Sequence, residues 1–284
     1  MIILRQKSYS NKDKKKDKAK NTNRVVGAGA AIIGGGVAGD ISNLCLNKTY
    51  GKSKENQIIH NFGENINLIR KLKEIGEKDG IKINISPYSP DGGSYSRAID
   101  PKTKEILREE IDSSAYAGTL AHELGHSRHY MGRDGNKLGK LAHKTSGKIN
   151  DTNEILRKKK VPKVESMVAS GVGFASGYKA GKDGKDSALN VIAPGAAALI
   201  SHAPALTKEI SATREGYKLL KKSGASKKFL KGYKKTMGHA AGTYASLAIP
   251  TLGLAYGSRL VGKVVGSEVR KSKERKENKK KKDK

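Results

Sequence analysis

The clearest alternation of apolar and polar positions lies between Asn61 and about Gly132. Ile66, Ile69, Leu72 and Ile75 recur at helical spacing with Arg70, Lys71, Lys73, Glu74 and Glu77 off that face. This predicts an amphipathic helix, stopped at Asp79-Gly80. Ile81, Ile83 and Ile85 then alternate with Lys82 and Asn84, the period of a half-buried strand, ended by Pro87. Asp91-Gly92-Gly93 predicts a turn, and residues 95–99 and 105–108 a hairpin around 100–104. Ser113 or Ser114 is the predicted cap of a helix running through Tyr130.

Four other windows carry no charge: 25–39 (15 residues), 166–178 (13), 187–207 (21) and 236–258 (23). A membrane-spanning helix needs about 20 apolar residues, so the last two reach that length and the first two fall short. All four lean on Gly, Ala, Ser and Val. Glycines recur four apart at Gly35/Gly39, Gly173/Gly177, Gly238/Gly242 and Gly253/Gly257, a spacing that lets helix backbones approach closely. These windows are predicted to be membrane-type helices, with Asn190, His202, Pro194 and Pro250 as the features that argue against it. Gly34, Gly36 and Gly39 fit a dinucleotide-loop spacing, but the polar stretch 48–55 supplies no second strand. The basic lead is too long and the first window too poor in Leu for a cleaved signal peptide, so an uncleaved anchor is expected.

Charge sharpens this division. Lys and Arg number 57 against 27 acids, a net charge of +30. Residues 1–24 hold nine Lys/Arg and two Asp, and residues 259–284 hold twelve Lys/Arg and four acids. Both ends read as disordered basic tails. Such runs attract anionic lipid and nucleic acid by the same electrostatics, and charge alone does not choose between them. A single cysteine, Cys45, excludes an intramolecular disulfide framework and a Cys-rich zinc finger.

The helix predicted from independent pattern carries the chemistry. Residues 121–130 read Ala-His-Glu-Leu-Gly-His-Ser-Arg-His-Tyr. His122 and His126, four apart, project from one helix face and can bind one metal, with Glu123 beside them to activate water. Gly118 and Gly125 leave the His face uncrowded. A catalytic zinc needs a third protein ligand and an open fourth position. His129 sits one turn too far along a straight helix to join the pair, and a supporting or surface role is expected for it. Glu154, Glu165, Glu209, Glu215 and Asp151 are the candidates for the third ligand. Glu209 opens a helical pattern in which Ala212 and Gly216 would allow close packing on the metal helix. For a hydrogen-bond donor to the reacting carbonyl, residue type offers Tyr217, His239 and Tyr130.

Taken together, these segments resemble the bacterial membrane-associated neutral zinc metallopeptidases. Residues 121–127 look like that family's Ala-His-Glu-Val-Gly-His-Ala. Residues 209–216, Glu-Ile-Ser-Ala-Thr-Arg-Glu-Gly, look like its Glu-containing segment, continued by Leu219-Leu220 and Gly224. Residues 240–244 resemble the start of its final helix, so the likeness covers about residues 61–256. It departs at Thr207-Lys208, where the family has Pro-Val, and in its more basic tails. The resemblance implies one catalytic Zn2+ held by His122, His126 and Glu209, with Glu123 as general base for hydrolysis of a protein or peptide.

The expected fold is α+β and predominantly helical: a small zincin-type catalytic domain with a short sheet, Gly/Ala-rich membrane-type helices and disordered basic tails. The expected divisions are a tail (1–24), an anchor (25–47), a catalytic domain (48–160), a helical hairpin (161–207), a third-ligand helix (208–235), an apolar helix (236–258) and a second tail (259–284). Basic tails place both ends on the cytoplasmic side of a membrane. A shared zinc then puts the catalytic site there too, with 166–178 and 187–207 crossing as a pair and the windows 25–39 and 236–258 re-entrant. Contact with membrane lipid, through the tails anionic lipid, is expected. Two alternatives remain: a soluble basic metalloprotease acting on nucleic-acid-bound proteins, and a non-catalytic membrane protein that keeps zinc for structure.

Overall fold

The computed structural model describes residues 11–86, 93–100, 102–103, 106–131 and 137–281, with side chains described except at 11–21, 99, 130 and 131. The described chain is α+β and mostly helical, as expected. In order it forms α1 (Asn11–His60), α2 (Phe62–Lys78), β1 (Lys82–Ser86), β2 (Gly93–Ile99), β3 (Ile106–Ser114), α3 (Ala117–Met131), α4 (Lys137–Lys158), α5 (Val164–Asp183), α6 (Ala188–Lys222), α7 (Lys227–Ser246) and α8 (Ala248–Lys280). The chain divides into two compact units. The mixed unit comprises Asp40–Lys160 and His202–Leu247; the helical unit comprises the residues up to Gly39, Val161–Ser201 and those from Ala248.

In the mixed unit, α2 follows the expected amphipathic pattern with a rotated face. Asn65, Leu68, Leu72 and Gly76 are buried, and Ile66 is exposed. Gly80, at φ 79°, turns the chain out of α2, and the Ile81 N–H donates to Gly76 O at 3.0 Å. That left-handed conformation favours glycine. The predicted strand and hairpin form one sheet in the order β1-β3-β2, with β2 antiparallel to β3 and β1 parallel to it. The pairing of β1 with β3 requires the crossover that the hairpin supplies, which alternation alone does not reveal. The turn predicted at Asp91-Gly92 lies outside the described residues. Leu68, Leu72, Ile81, Ile111, Tyr116, Leu120, Leu124, Leu220, Phe229 and Tyr233 make up the core.

Helix α3 is capped differently from the expectation. Ser113 and Ser114 end β3, and Asn65 of α2 reaches across instead. Its amide donates to Ala115 O at 2.8 Å and accepts from the Ala117 N–H at 2.9 Å, satisfying one free donor of the first turn. Helix α7 begins at a local cap, Ser226 Oγ accepting from the Phe229 N–H at 3.1 Å. The candidate ligands Asp151 and Glu154 lie within helix α4.

In the helical unit, glycines set the spacing. A Cβ on Gly177 would fall 2.7 Å from the Arg259 carbonyl carbon, and one on Gly181 would fall 2.8 Å from Ser267 N; Gly173 likewise abuts Ala255. Contacts that advance together along both chains make α5 and α8 parallel. Gly35 meets Gly253 and Gly39 meets Pro250, so α1 runs antiparallel to α8. Arg259 Nε donates to Asn190 O at 2.9 Å, and Lys263 Nζ to Asp186 at 2.6 Å, tying α8 to the start of α6. Of the four glycine pairs singled out from spacing, three make such approaches, whereas Gly238 meets nothing within 4 Å.

Four expectations are corrected here. Residues 259–280, read as part of a disordered tail, continue α8, because Gly262 and Gly266 seat the helix against α5 before its charged end. Residues 11–24 of the other tail belong to α1, and residues 1–10 lie outside the described part. The window 236–258 does not form one helix: it breaks at Leu247 between α7 and α8. The window 25–39 is not re-entrant, since it lies inside the uninterrupted α1. Two helices, Thr22–His60 and Ala188–Lys222, are long and apolar enough to cross a membrane by length and composition, with only 11% and 17% of their apolar stretch buried. The second joins the window 187–207 to the segment carrying Glu209, which sequence reading had divided between a hairpin and a separate helix.

Candidate metal centre

His122 and His126 lie one turn apart on α3 and are both buried, with ring centroids 4.7 Å apart. Two side-chain bonds anchor the helix and strand around them: Ser127 Oγ donates to Glu109 at 3.1 Å, and Tyr95 OH donates to the same carboxylate at 2.6 Å. Helix α6 crosses close by. Ala212 is fully buried, and a Cβ on Gly216 would fall 2.7 Å from Ala121 O, so small residues admit the close approach expected of them. Gly125 serves the same contact rather than an open cleft, because a Cβ there would fall 3.0 Å from the Ala212 carbonyl carbon. Gly118 is filled by the Tyr116 ring.

This approach delivers Glu209, which is 4% exposed. Its Oε2 lies 3.1 Å from His122 Nε2 and 3.2 Å from His126 Nε2, and the two Nε2 atoms are 3.2 Å apart. Its Oε1 pairs with Lys208 Nζ at 3.1 Å. His122, His126 and Glu209 form a group that could hold a metal ion. The other named carboxylates are elsewhere: Glu215 pairs with Lys218, Glu154 pairs with Lys158 on exposed α4, Asp151 is exposed, and Glu165 opens α5.

The outer ring nitrogen of His126 is fixed in role by its partner. His143 Nδ1 donates to Gly139 O at 2.8 Å, so its Nε2 accepts from His126 Nδ1 at 3.0 Å. Thr213 Oγ1 meets His122 Nδ1 at 3.1 Å. The His126 Nε2 lone pair is thus free, and both Nε2 atoms converge on one carboxylate oxygen, an arrangement that a shared cation suits. A tetrahedral ion with bonds of about 2.0–2.1 Å sets its donor atoms about 3.3 Å apart. The three observed separations fit that figure, and the donor set of two imidazoles and a carboxylate suits zinc.

Electrostatics agree for the His126–His143 pair. Burial, then the neighbouring His126, pushes His143 down to about 3, which keeps it neutral as an acceptor. Burial alone would raise Glu209, yet His126 and His122 beside it hold its carboxyl far below the ordinary range. His129 is buried against His143 at 4.9 Å between rings, outside the donor group, so the supporting place expected for it holds and a surface place does not.

Glu123 is buried to 6% exposure but is not in the donor group. It lines a cavity of about 360 Å³ together with His122, Gly93, Tyr50, Thr119 and Tyr244. A Cβ on Gly93 would fall 2.9 Å from Glu123 Cγ, so the start of the edge strand β2 runs against the catalytic candidate. Tyr217 sits beneath the Lys234 ammonium, 4.6 Å from its ring centroid, and neither it nor His239 lines the cavity. The side chain of Tyr130 is outside the described part.

Sequence reading missed His143 and Tyr244. On α4 the buried face is Gly139, Ala142, His143 and Ser146, while Leu138 and Leu141 are exposed, an inversion that conceals the helix's inner side. No family model matches the chain, and no curated protein or solved structure matches it.

Proposed function

We propose that the protein is a zinc metalloendopeptidase working at a membrane, of the kind that the bacterial membrane-associated neutral zinc metallopeptidases represent. One observation carries this reading: three donor atoms at tetrahedral spacing stand beside a buried carboxylate that is not among them and that opens onto a cleft. A purely structural site has no use for that carboxylate.

Zinc, when held by His122, His126 and Glu209, would acidify water and polarise a peptide carbonyl. Glu123 takes a proton from the attacking water as its oxygen bonds to the carbonyl carbon. The same carboxyl then gives that proton to the amide nitrogen as the C–N bond breaks. His143 holds the His126 imidazole in the tautomer that leaves Nε2 free to ligate, and Thr213 positions the His122 ring through its Nδ1. Strand β2, at the sheet edge, offers backbone groups to an extended peptide. The test uses the full chain purified in detergent. Labelled casein should be cut in proportion to bound zinc, with cleavage lost on chelation and restored by zinc alone. Stoichiometric zinc without cleavage would return the site to a structural role.

The apolar outer faces of α1 and α6 support contact with lipid, for Val26, Ile33, Leu189 and Ile200 are 65%, 69%, 72% and 69% exposed. Because α1 is uninterrupted, a crossing by it puts the basic run 12–20 and the far end of α1, residues 40–60, on opposite faces. The parallel pair α5 and α8 carries Lys179, Lys182 and the charged end of α8 toward the same face as that run. By the positive-inside rule this face is cytoplasmic, and the metal centre belongs on the other. This replaces the cytoplasmic site expected from charge and re-entrant windows. Protease added outside intact spheroplasts should cut the segment around Lys158–Lys160 and spare an epitope after Lys284; the reverse pattern refutes this orientation.

A further inference from the structure

We infer that Tyr244 is a catalytic residue of this site, its phenol hydroxyl donating a hydrogen bond to the oxygen of the scissile carbonyl as negative charge develops there. The inference rests on the peptidase reading above.

Tyr244 stands on α7, lines the cavity beside His122 and Glu123, and is 37% exposed. It shares the cavity wall with His122, and Glu209 and Glu123 are the carboxylates whose charge its hydroxyl feels, so a donor stands near the metal ligands. The other polar side chains on the cavity wall are engaged elsewhere. Thr243 Oγ1 donates to Ala240 O at 2.6 Å, and Asn47 Nδ2 donates to Asn43 Oδ1 at 3.1 Å. Thr119 Oγ1 bonds Ser114 at 3.2 Å and meets Tyr50 OH at 3.5 Å. Deeper in the mixed unit, Tyr233 OH donates to Thr213 O at 2.9 Å. Tyr244 alone among these joins the cleft to the donor group.

The chemistry needs such a donor. Charge accumulates on the carbonyl oxygen as water adds, and a fixed hydrogen bond at that point lowers the barrier without lowering the energy of the bound substrate equally. A phenol that lines the cavity beside His122 and Glu123 can reach the substrate oxygen by rotation of its side chain. Helix α7 holds that position, since Leu46 fills the space at Gly242 and Ser53 meets Thr236 at 2.7 Å.

The test compares wild type with Tyr244→Phe, which removes one hydroxyl and leaves the ring. With labelled casein, kcat should fall by about 10²–10³, while KM and zinc stoichiometry stay near the wild-type values. A phosphinic peptide built on the casein bond that wild type cuts fastest mimics the charged oxygen. Its inhibition constant should rise in Tyr244→Phe by a factor matching the loss in kcat/KM. Unchanged kcat in a zinc-loaded variant overturns the assignment while leaving the peptidase reading intact, and loss of zinc makes Tyr244 a positioning residue for Glu209 instead. Wild type that binds zinc and leaves casein whole overturns both.

Discussion

Glu123→Gln is expected to keep zinc at the wild-type stoichiometry and to lose turnover by at least about 10²–10⁴-fold, the range of a general acid–base contribution. The substitution keeps the shape of the side chain and removes its ability to take a proton. Metal binding should survive because the donor group consists of His122, His126 and Glu209, and Glu123 lies outside it. Glu209→Ala is the contrasting change. It removes the oxygen that stands 3.1 and 3.2 Å from the two imidazoles and leaves Lys208 without its partner, so zinc affinity should collapse. Metal analysis after dialysis, run beside casein cleavage, separates the two effects. Normal zinc binding by Glu209→Ala would remove the third ligand from the scheme, and with it the likeness to the metallopeptidase family.

Gly125→Val should be among the most damaging single changes to the mixed unit. A Cβ at Gly125 already falls 3.0 Å from the Ala212 carbonyl carbon and 3.1 Å from its Cα, both backbone atoms that cannot turn aside. Overpacking of this kind costs about 1–3 kcal/mol, and valine adds two further methyl groups to the first clash. The better helix propensity of a residue other than glycine returns less than about 1 kcal/mol. The clash therefore wins, and α6 must move away from α3, carrying Glu209 from the histidines. A lower denaturation midpoint and weaker zinc binding should appear together. Gly238→Ala is the control, because nothing lies within 4 Å of that position and it is exposed in mid-helix. It should be neutral or stabilising by up to about 1 kcal/mol. Equal midpoints for Gly125→Val and wild type would show that α3 and α6 do not meet as described.

Much of the mixed unit was legible because its elements obey simple periods. The alternation of Ile81, Ile83 and Ile85, the hairpin around Asp100 and the helix bearing His122 and His126 all follow from local pattern. Among five acids, Glu209 was favoured by the small residues after it, Ala212 and Gly216, which do lie against α3, and singled out by the family resemblance. What escaped reading depends on contacts distant in sequence. Asn65 caps α3 from another helix, fifty-two residues away along the chain. His143 looks like one basic position on a polar helix until α4 is seen to bury its small side chains. Tyr244 sits in an uncharged window whose composition suggested lipid, and only the break at Leu247 assigns it to α7. The basic segment after Arg259 misled because charge was read as disorder, whereas Gly262 and Gly266 give it a neighbour to fold against.

The continuity of α6 links two properties that a loop would have kept independent. Residues 188–207 of the uncharged stretch and Glu209 lie on one continuous helix, with two residues from the end of the first to the second. Each residue in such a helix advances about 1.5 Å and turns about 100°. The angular phase of residues 202–207 thus bears on the direction in which Glu209 points. Inserting a single residue after Thr207 would rotate one about 100° relative to the other. Either the outer face of the helix or the carboxylate would then be misdirected, although every side chain in both segments remained unchanged.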